Sequence, residues 1–384
     1  MYSSSYAPVI KPGELKSLLC QVPCGFVSNG SGDVVLTDER MMFLAFVRAE
    51  QAIKAMLNAD AHAPRLNWSQ ADNRIDPSSP KASMAKANAR RAPQAGMKAI
   101  NAALRLIHKF QRHLCVSPFT QQVNTSDETN TLWLNLSPAL WVAKLLLDRF
   151  IGIEMFIPRN ESQLRTEFES LCKELRGQPG PKAAKTPFQQ ASTVAQNRLS
   201  RRKKSGKALL TQLERNSGRT TAVPIVLAYR LAPDSDPSLP ALSSVKAHLE
   251  HVLIMRQNYK HLSMAVGYVW HILYTPLLGP HVRIMWLWNE AFEPSVLPAV
   301  LAETQALWTQ VVEGQSYTLQ EFVFSAMSSS TEGQIYSSDV KSEWEAMRGR
   351  LEYWAILDHF VSIIMPDKKH TFGRSNGVRK RRSR

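Results

Sequence analysis

Residues 198–207 set six cations, Arg198, Arg201, Arg202, Lys203, Lys204 and Lys207, into a short run without one acid. Residues 368–384 add eight more, again without an acid: Lys368, Lys369, Arg374, Arg379, Lys380, Arg381, Arg382 and Arg384. Together they account for nearly all of the formal net charge of +15 carried by the 384 residues. Guanidinium and ammonium groups at this density neutralise phosphates, so the expected partner is nucleic acid. Neither cluster is interleaved with bulky apolar side chains, which excludes a basic amphipathic membrane helix. Arg379–Arg382 also has the composition of a nuclear-import signal.

A second chemical feature is the alternating run His281–Trp288. Val282, Ile284, Trp286 and Trp288 fall on one strand face; His281, Arg283, Met285 and Leu287 fall on the other. Tyr268, Trp270, Tyr274, Trp286 and Trp288 could form a stacking platform for bases, but the alternation assigns Trp286 and Trp288 to a core face. Cys20 and Cys24 lie four apart with no second Cys/His pair nearby, so they read as turn or core residues rather than zinc ligands. With Cys115 and Cys172 they are too scattered for a disulfide framework, which favours a reducing cytoplasm. Asp234 and Asp236 sit among prolines as turn formers. Ser205-Gly206-Lys207 lacks the upstream glycine of a phosphate-binding loop. A nucleophile elbow, a zinc-hydrolase helix, a dinucleotide fingerprint and a Ser/His/Asp spacing are all missing from the sequence. His359 and His370 have no partner at a useful spacing.

The elements that must position these residues follow from periodicity. Hydrophobic residues at 44% and charged residues at 21% make a globular chain, long enough for two or three domains. Thr37 caps a helix with Asp38 and Glu39 in its first turn and Met42, Phe46, Ala49, Ile53 and Met56 on its stripe. Residues 60–92 read as a long loop. Further helices are expected around Ile100–Ile107, Pro138–Phe150 and Glu161–Leu175. The apolar stretch Leu132–Leu147, broken by Asn135, Pro138 and Lys144, is too short for a membrane span and reads as a buried segment leading into a core helix. Met1–Gly13 has no signal-peptide pattern. Residues 176–222 lack a sustained apolar stripe and read as a basic linker, with a helix allowed across 191–214. Beyond it come a strand at Ile225–Tyr229, a helix through Val245–Leu253, strands at Ala265–Tyr274 and His281–Trp288, a helix opened by Pro298, a weak strand at Leu319–Phe324, and a long helix over Val340–Ile363. The expected fold is α+β: a helical N-terminal region (1–175), the basic linker (176–222), a ferredoxin-like βαββαβ domain (223–367) and a basic tail (368–384).

Several segments of that domain carry a resemblance. They are Gly267-Tyr268-Val269-Trp270, Gly279-Pro280-His281-Val282, Leu307-Trp308-Thr309-Gln310-Val311-Val312 and Thr371-Phe372-Gly373-Arg374-Ser375. In their order and separation, over about residues 222–376, the chain resembles the inovirus-type replication-initiator family of bacterial prophages and mobile elements, the YagK/YfjJ C-terminal domain. The resemblance does not reach the first 175 residues. It implies a fold similar to the histidine–hydrophobic–histidine nickases of rolling-circle replication. In those, two histidines on a strand face and a third ligand hold a divalent metal (Mg or Mn), and a helix tyrosine attacks a DNA phosphate. His281 matches the first histidine and would be the metal ligand. Arg283 stands where the second should be, and a guanidinium has no lone pair for a metal. Leu273 replaces an acid on the preceding strand. Tyr353 matches the nucleophile, and Ile356 replaces the lysine one turn later.

Two expectations follow. In one, the chain is a degenerate member that binds DNA without cutting it, single-stranded or origin DNA in the bacterial cytoplasm. Arg283 then contacts phosphate and the two clusters, Lys368, Lys369, Arg374 and Arg379–Arg382 included, hold the strand. In the other it is an active nickase whose ligands include His261, His271 or Asp358. A third class is an interaction or regulatory module without DNA specificity.

Overall fold

The fold was obtained as a computed structural model. It describes residues 10, 12–19, 25–29, 34–37, 39–58, 102–107, 114–116, 133–150, 166–167, 170–171, 174–175, 186–216, 220–229, 242–275, 278–289, 296–312, 316–320, 336–337, 341–365 and 370–375. Cys20, Cys24, Cys172, Asp234, Asp236, Lys368, Lys369, Arg379–Arg382 and the loop read at 60–92 lie outside these residues.

The helices are α1 (Pro12–Leu19), α2 (Glu39–Asn58), α3 (Pro138–Phe150), α4 (Pro187–Asn216), α5 (Leu242–Met255), α6 (Lys260–Ser263), α7 (Val296–Val311) and α8 (Lys341–Phe360), with a helical turn over 102–107. The strands are β1 (Gly25–Asn29), β2 (Val34–Thr37), β3 (Leu114–Val116), β4 (Trp133–Leu136), β5 (Thr221–Tyr229), β6 (Gly267–Thr275), β7 (Gly279–Trp288), β8 (Ser316–Gln320), β9 (Tyr336–Ser337), β10 (Val361–Ile363) and β11 (Phe372–Arg374). The chain is therefore a mixed helix-and-sheet protein of the α+β class. No helix among the described residues is long and apolar enough to cross a membrane.

Hydrophobic strands build the main sheet. Its order is β11-β6-β7-β5-β8-β1-β2, antiparallel throughout, with β9 also pairing β5. Gly279, at φ 63°, takes the left-handed conformation that glycine favours at the start of β7, opposite Thr275 of β6. In the β6–β7 register His271 faces Arg283 and Leu273 faces His281. Every residue of β7 is buried, so helices cover both sheet faces. On the side of Trp286 and Ile284 lie α5 and α7, where Tyr229 packs between His248 and Trp308. On the side of His281 and Arg283 lie α8 and α2.

A second, smaller sheet joins β10, β4 and β3; β10 runs antiparallel to β4, and β3 parallel. It corrects the expected end of the last helix. Val361–Ile363 leave α8 to pair with Leu134–Leu136, as β-branched residues do when a partner strand is at hand. The N-terminal region, read as mostly helical, also contributes strands: β1 and β2 extend the main sheet beyond β8. Strands of three to five residues are too short to impose a period on the sequence. The weak strand lies earlier than expected, at Ser316–Gln320. Pro138–Phe150 forms a helix as read, preceded by the buried Leu134 and Leu136.

The segment read as a linker does hold the helix allowed across 191–214, but that helix is longer and carries an inward stripe. It is the 30-residue α4. Its inner face runs Phe188, Ser192, Ala195, Leu199, Arg202, Gly206, Leu209 and Leu213, a three-to-four-residue spacing from end to end. Ser192, Arg202 and Gly206 interrupt its hydrophobicity but not its geometry. Gly206 lets α4 approach α8 closely: a Cβ there would meet Leu351 Cδ1 at 3.2 Å.

Candidate functional site

β7 presents His281 and Arg283 to the face covered by α8, and α8 delivers Tyr353 onto them. The Arg283 guanidinium lies over the Tyr353 ring at 5.7 Å. The three residues that the resemblance singles out therefore converge, but in the interior: all three are fully buried.

The hydrogen bonds define their chemistry. His281 Nδ1 lies 2.9 Å from the Gly279 carbonyl, so it carries the proton and donates. Nε2 keeps the lone pair, and Arg283 Nε donates to it at 3.3 Å. Arg283 Nη2 donates to Glu39 Oε2 of α2 at 2.5 Å, a buried ion pair across 244 positions of sequence. Burial, reinforced by Arg283, pushes the His281 pKa down to about 3, so the imidazole is neutral. His271, opposite Arg283, is driven well below the ordinary range by burial and by the Arg202 and Arg283 charges.

This arrangement does not fit a divalent metal. The one free lone pair of His281 is taken by a permanent cation that would itself repel the ion. Among the described residues, no group of three from His, Cys, Asp and Glu converges as a metal set. Of the alternative ligands, His271 and Asp358 lie on the α8 side, where Asp358 is ion-paired to Arg202. His261 is elsewhere. Its ring and backbone amide bind Glu303 of α7, and its carbonyl accepts from Trp288 Nε1.

Tyr353 packs edge-on against Phe43 of α2 at 5.3 Å. Its hydroxyl, like His271 Nδ1, has no hydrogen-bond partner among the described residues. Further along α2, Lys54 (3.0 Å) and His359 of α8 (3.3 Å) hold Glu50. Although burial favours the neutral acid, these partners bring Glu50 down to about 2, so it is ionised inside the protein. His359, without a spacing partner in the sequence, thus has one in space; His370 is exposed.

The first basic cluster divides by helical phase. Arg198 donates to Ser362 of β10 at 3.1 Å. Arg202 pairs with Asp358 and donates to Thr371 Oγ1 at 2.7 Å. Lys203 and Lys207 both reach Glu352, at 2.6 and 3.3 Å. Arg201 and Lys204 occupy the exposed face. Of the tail cations, Arg374 is described; its Nε donates to Ser205 of α4 at 3.0 Å. The Thr371–Ser375 segment is a structural clamp. The Thr371 carbonyl accepts from Ile272, Ser375 exchanges hydrogen bonds with Tyr268, and Gly373 lies against the Trp270 ring.

Sequence reasoning missed Glu39 and Phe43, which reach the site from a distant helix. The Glu50–Lys54 spacing of four was the available local signal. Comparison with protein-family models, with curated proteins and with solved structures finds no match to this chain.

Proposed function

We propose that this chain is a DNA-binding protein of a bacterial prophage or mobile element, acting in the cytoplasm. Its βαββαβ unit is a ferredoxin-like domain of the rolling-circle-initiator type that no longer nicks. In support, β5, α5, the one-turn α6, β6, β7, α7 and β8 follow one another in sequence while their strands lie in the order β8-β5-β7-β6, all antiparallel. The observation that carries the reading is the meeting of His281, Arg283 and Tyr353 on the sheet face away from α5 and α7. There the guanidinium occupies the lone pair a metal would need.

DNA contact then falls to the cations that face solvent, Arg201 and Lys204 on α4, supported by Lys207 and the tail. The test is fluorescence anisotropy of the full chain on a labelled single-stranded oligonucleotide over a salt series, beside a nicking assay with Mg or Mn. Binding is expected to weaken steeply with salt and no nicked product to form. The Arg201→Ala/Lys204→Ala variant should lower the log–log salt slope by about 1.4, at about 0.7 for each phosphate no longer neutralised. Metal-dependent nicking abolished by Tyr353→Phe overturns the non-cleaving assignment. Binding absent at every salt concentration overturns the DNA assignment and leaves an interaction module.

A further inference from the structure

Arg283 is a cation with no path to solvent, and its counter-ion comes from outside the domain that carries it. Glu39 sits in the first turn of α2, at 2.5 Å from Arg283 Nη2. Phe43, one turn on, covers the Tyr353 ring. The Tyr353 ring lies against the Arg283 guanidinium and His271 faces Arg283 across the β6–β7 register; Tyr353 Oη and His271 Nδ1 are fully buried with no partner among the described residues. A buried guanidinium, a neutral imidazole and a phenol hydroxyl are the groups that receive an oxyanion. The carboxylate of Glu39 has the charge and the acceptor geometry of one edge of a phosphate.

We propose that Glu39 is a built-in phosphate mimic: the first turn of α2 occupies a phosphate site formed by Arg283 and Tyr353, and a DNA phosphate enters only when that turn peels away. This inference rests on the DNA-binding reading. The rest of α2 stays docked, because Phe46, Val47, Ala49 and Ile53 are buried and Glu50 is held by Lys54 and His359. The first turn buries Glu39, Met42 and Phe43, but its amides have no intrahelical partner, so it is the end of α2 from which opening begins. The exposed Met41 marks the side of that turn that faces water.

Two measurements on the full chain test the proposal. In the first, Glu39→Gln keeps the side-chain shape and removes the competing charge. Its affinity for the labelled oligonucleotide should rise about tenfold, the size of one charge-assisted hydrogen bond gained. The gain should vanish in Glu39→Gln/Arg283→Met. Equal affinity of Glu39→Gln and wild type overturns the proposal while leaving DNA binding intact. If neither protein binds DNA, both readings fall. The second measurement needs no variant: hydrogen exchange of the wild type with and without saturating oligonucleotide. The peptide covering residues 39–46 should exchange faster with DNA bound, while residues 50–58 stay unchanged. Unchanged or slower exchange at 39–46 overturns the proposal even if Glu39→Gln fails to fold.

Discussion

Acidification from pH 7 to pH 5 should destabilise this protein through His281, and the size of the effect follows from its surroundings. The ring faces Arg283 on its own strand, with His271 on β6, Glu39 on α2 and Tyr353 on α8 around that guanidinium. Its pKa is about 3 in the folded protein, against an ordinary 6.5. Between those values the unfolded chain takes up a proton that the folded one refuses, so stability falls as pH falls. The linkage costs about 2 kcal/mol at pH 5 relative to pH 7, and about 4 kcal/mol near pH 3. His271 and His359, also depressed by burial, act in the same direction. Glu50 does not contribute in this window. Its stabilisation is present above 4.5 and is lost only as pH falls towards about 2. Urea unfolding followed by tryptophan fluorescence at pH 7 and pH 5 reads the difference. In His281→Gln, which keeps polarity and cannot titrate, the acid-induced loss should shrink by about 2 kcal/mol. An identical loss in variant and wild type would refute the reasoning. It would mean that the imidazole takes up its proton as readily folded as unfolded, and the Arg283 Nε hydrogen bond could not be as described.

Arg202→Ala and Lys204→Ala, two positions apart, should behave oppositely. The first strands Asp358 without its ion-pair partner and should cost about 3–5 kcal/mol in thermal unfolding. The second should leave stability within about 0.5 kcal/mol and, on the proposed function, weaken DNA binding instead; equal melting of the two variants would contradict the division of α4 into inner and outer faces. Gly373→Ala drives a Cβ into Trp270 Cζ2 and should cost about 1–3 kcal/mol, read by the same melt. A wild-type melting temperature would show that β11 is not seated against that ring.

Where an element is long enough to show its period and its inward positions are apolar, its faces were legible in the sequence. The faces of β7 were legible from His281–Trp288 alone, because two-residue alternation over a strand of that length has one solution. The stripe of α2 from Met42 to Ile53 was equally plain. What stayed hidden was tertiary. Glu39 meets Arg283 through a fold, not a spacing, and no local pattern announces it. The α4 stripe was concealed because its inward positions include Ser192 and Arg202, residues that read as solvated until Asp358 and Thr371 are seen to receive the guanidinium.

That concealment changes what the charge means. Density along the sequence treats all six cations of residues 198–207 as available to phosphate. The fold uses Arg198 and Arg202 as packing groups, binds Lys203 and Lys207 to one carboxylate, and leaves Arg201 and Lys204 facing solvent. On the proposed function, all six meeting single-stranded DNA would give the segment a salt slope of about 4, whereas Arg201 and Lys204 alone would give about 1.4. A measured contribution near the larger value would require α4 to leave α8 on binding, breaking the Arg202–Asp358 pair and the Glu352 bridges together. A value near the smaller one means that most of this cluster's charge holds the protein together, and that α4 serves DNA binding with one face only.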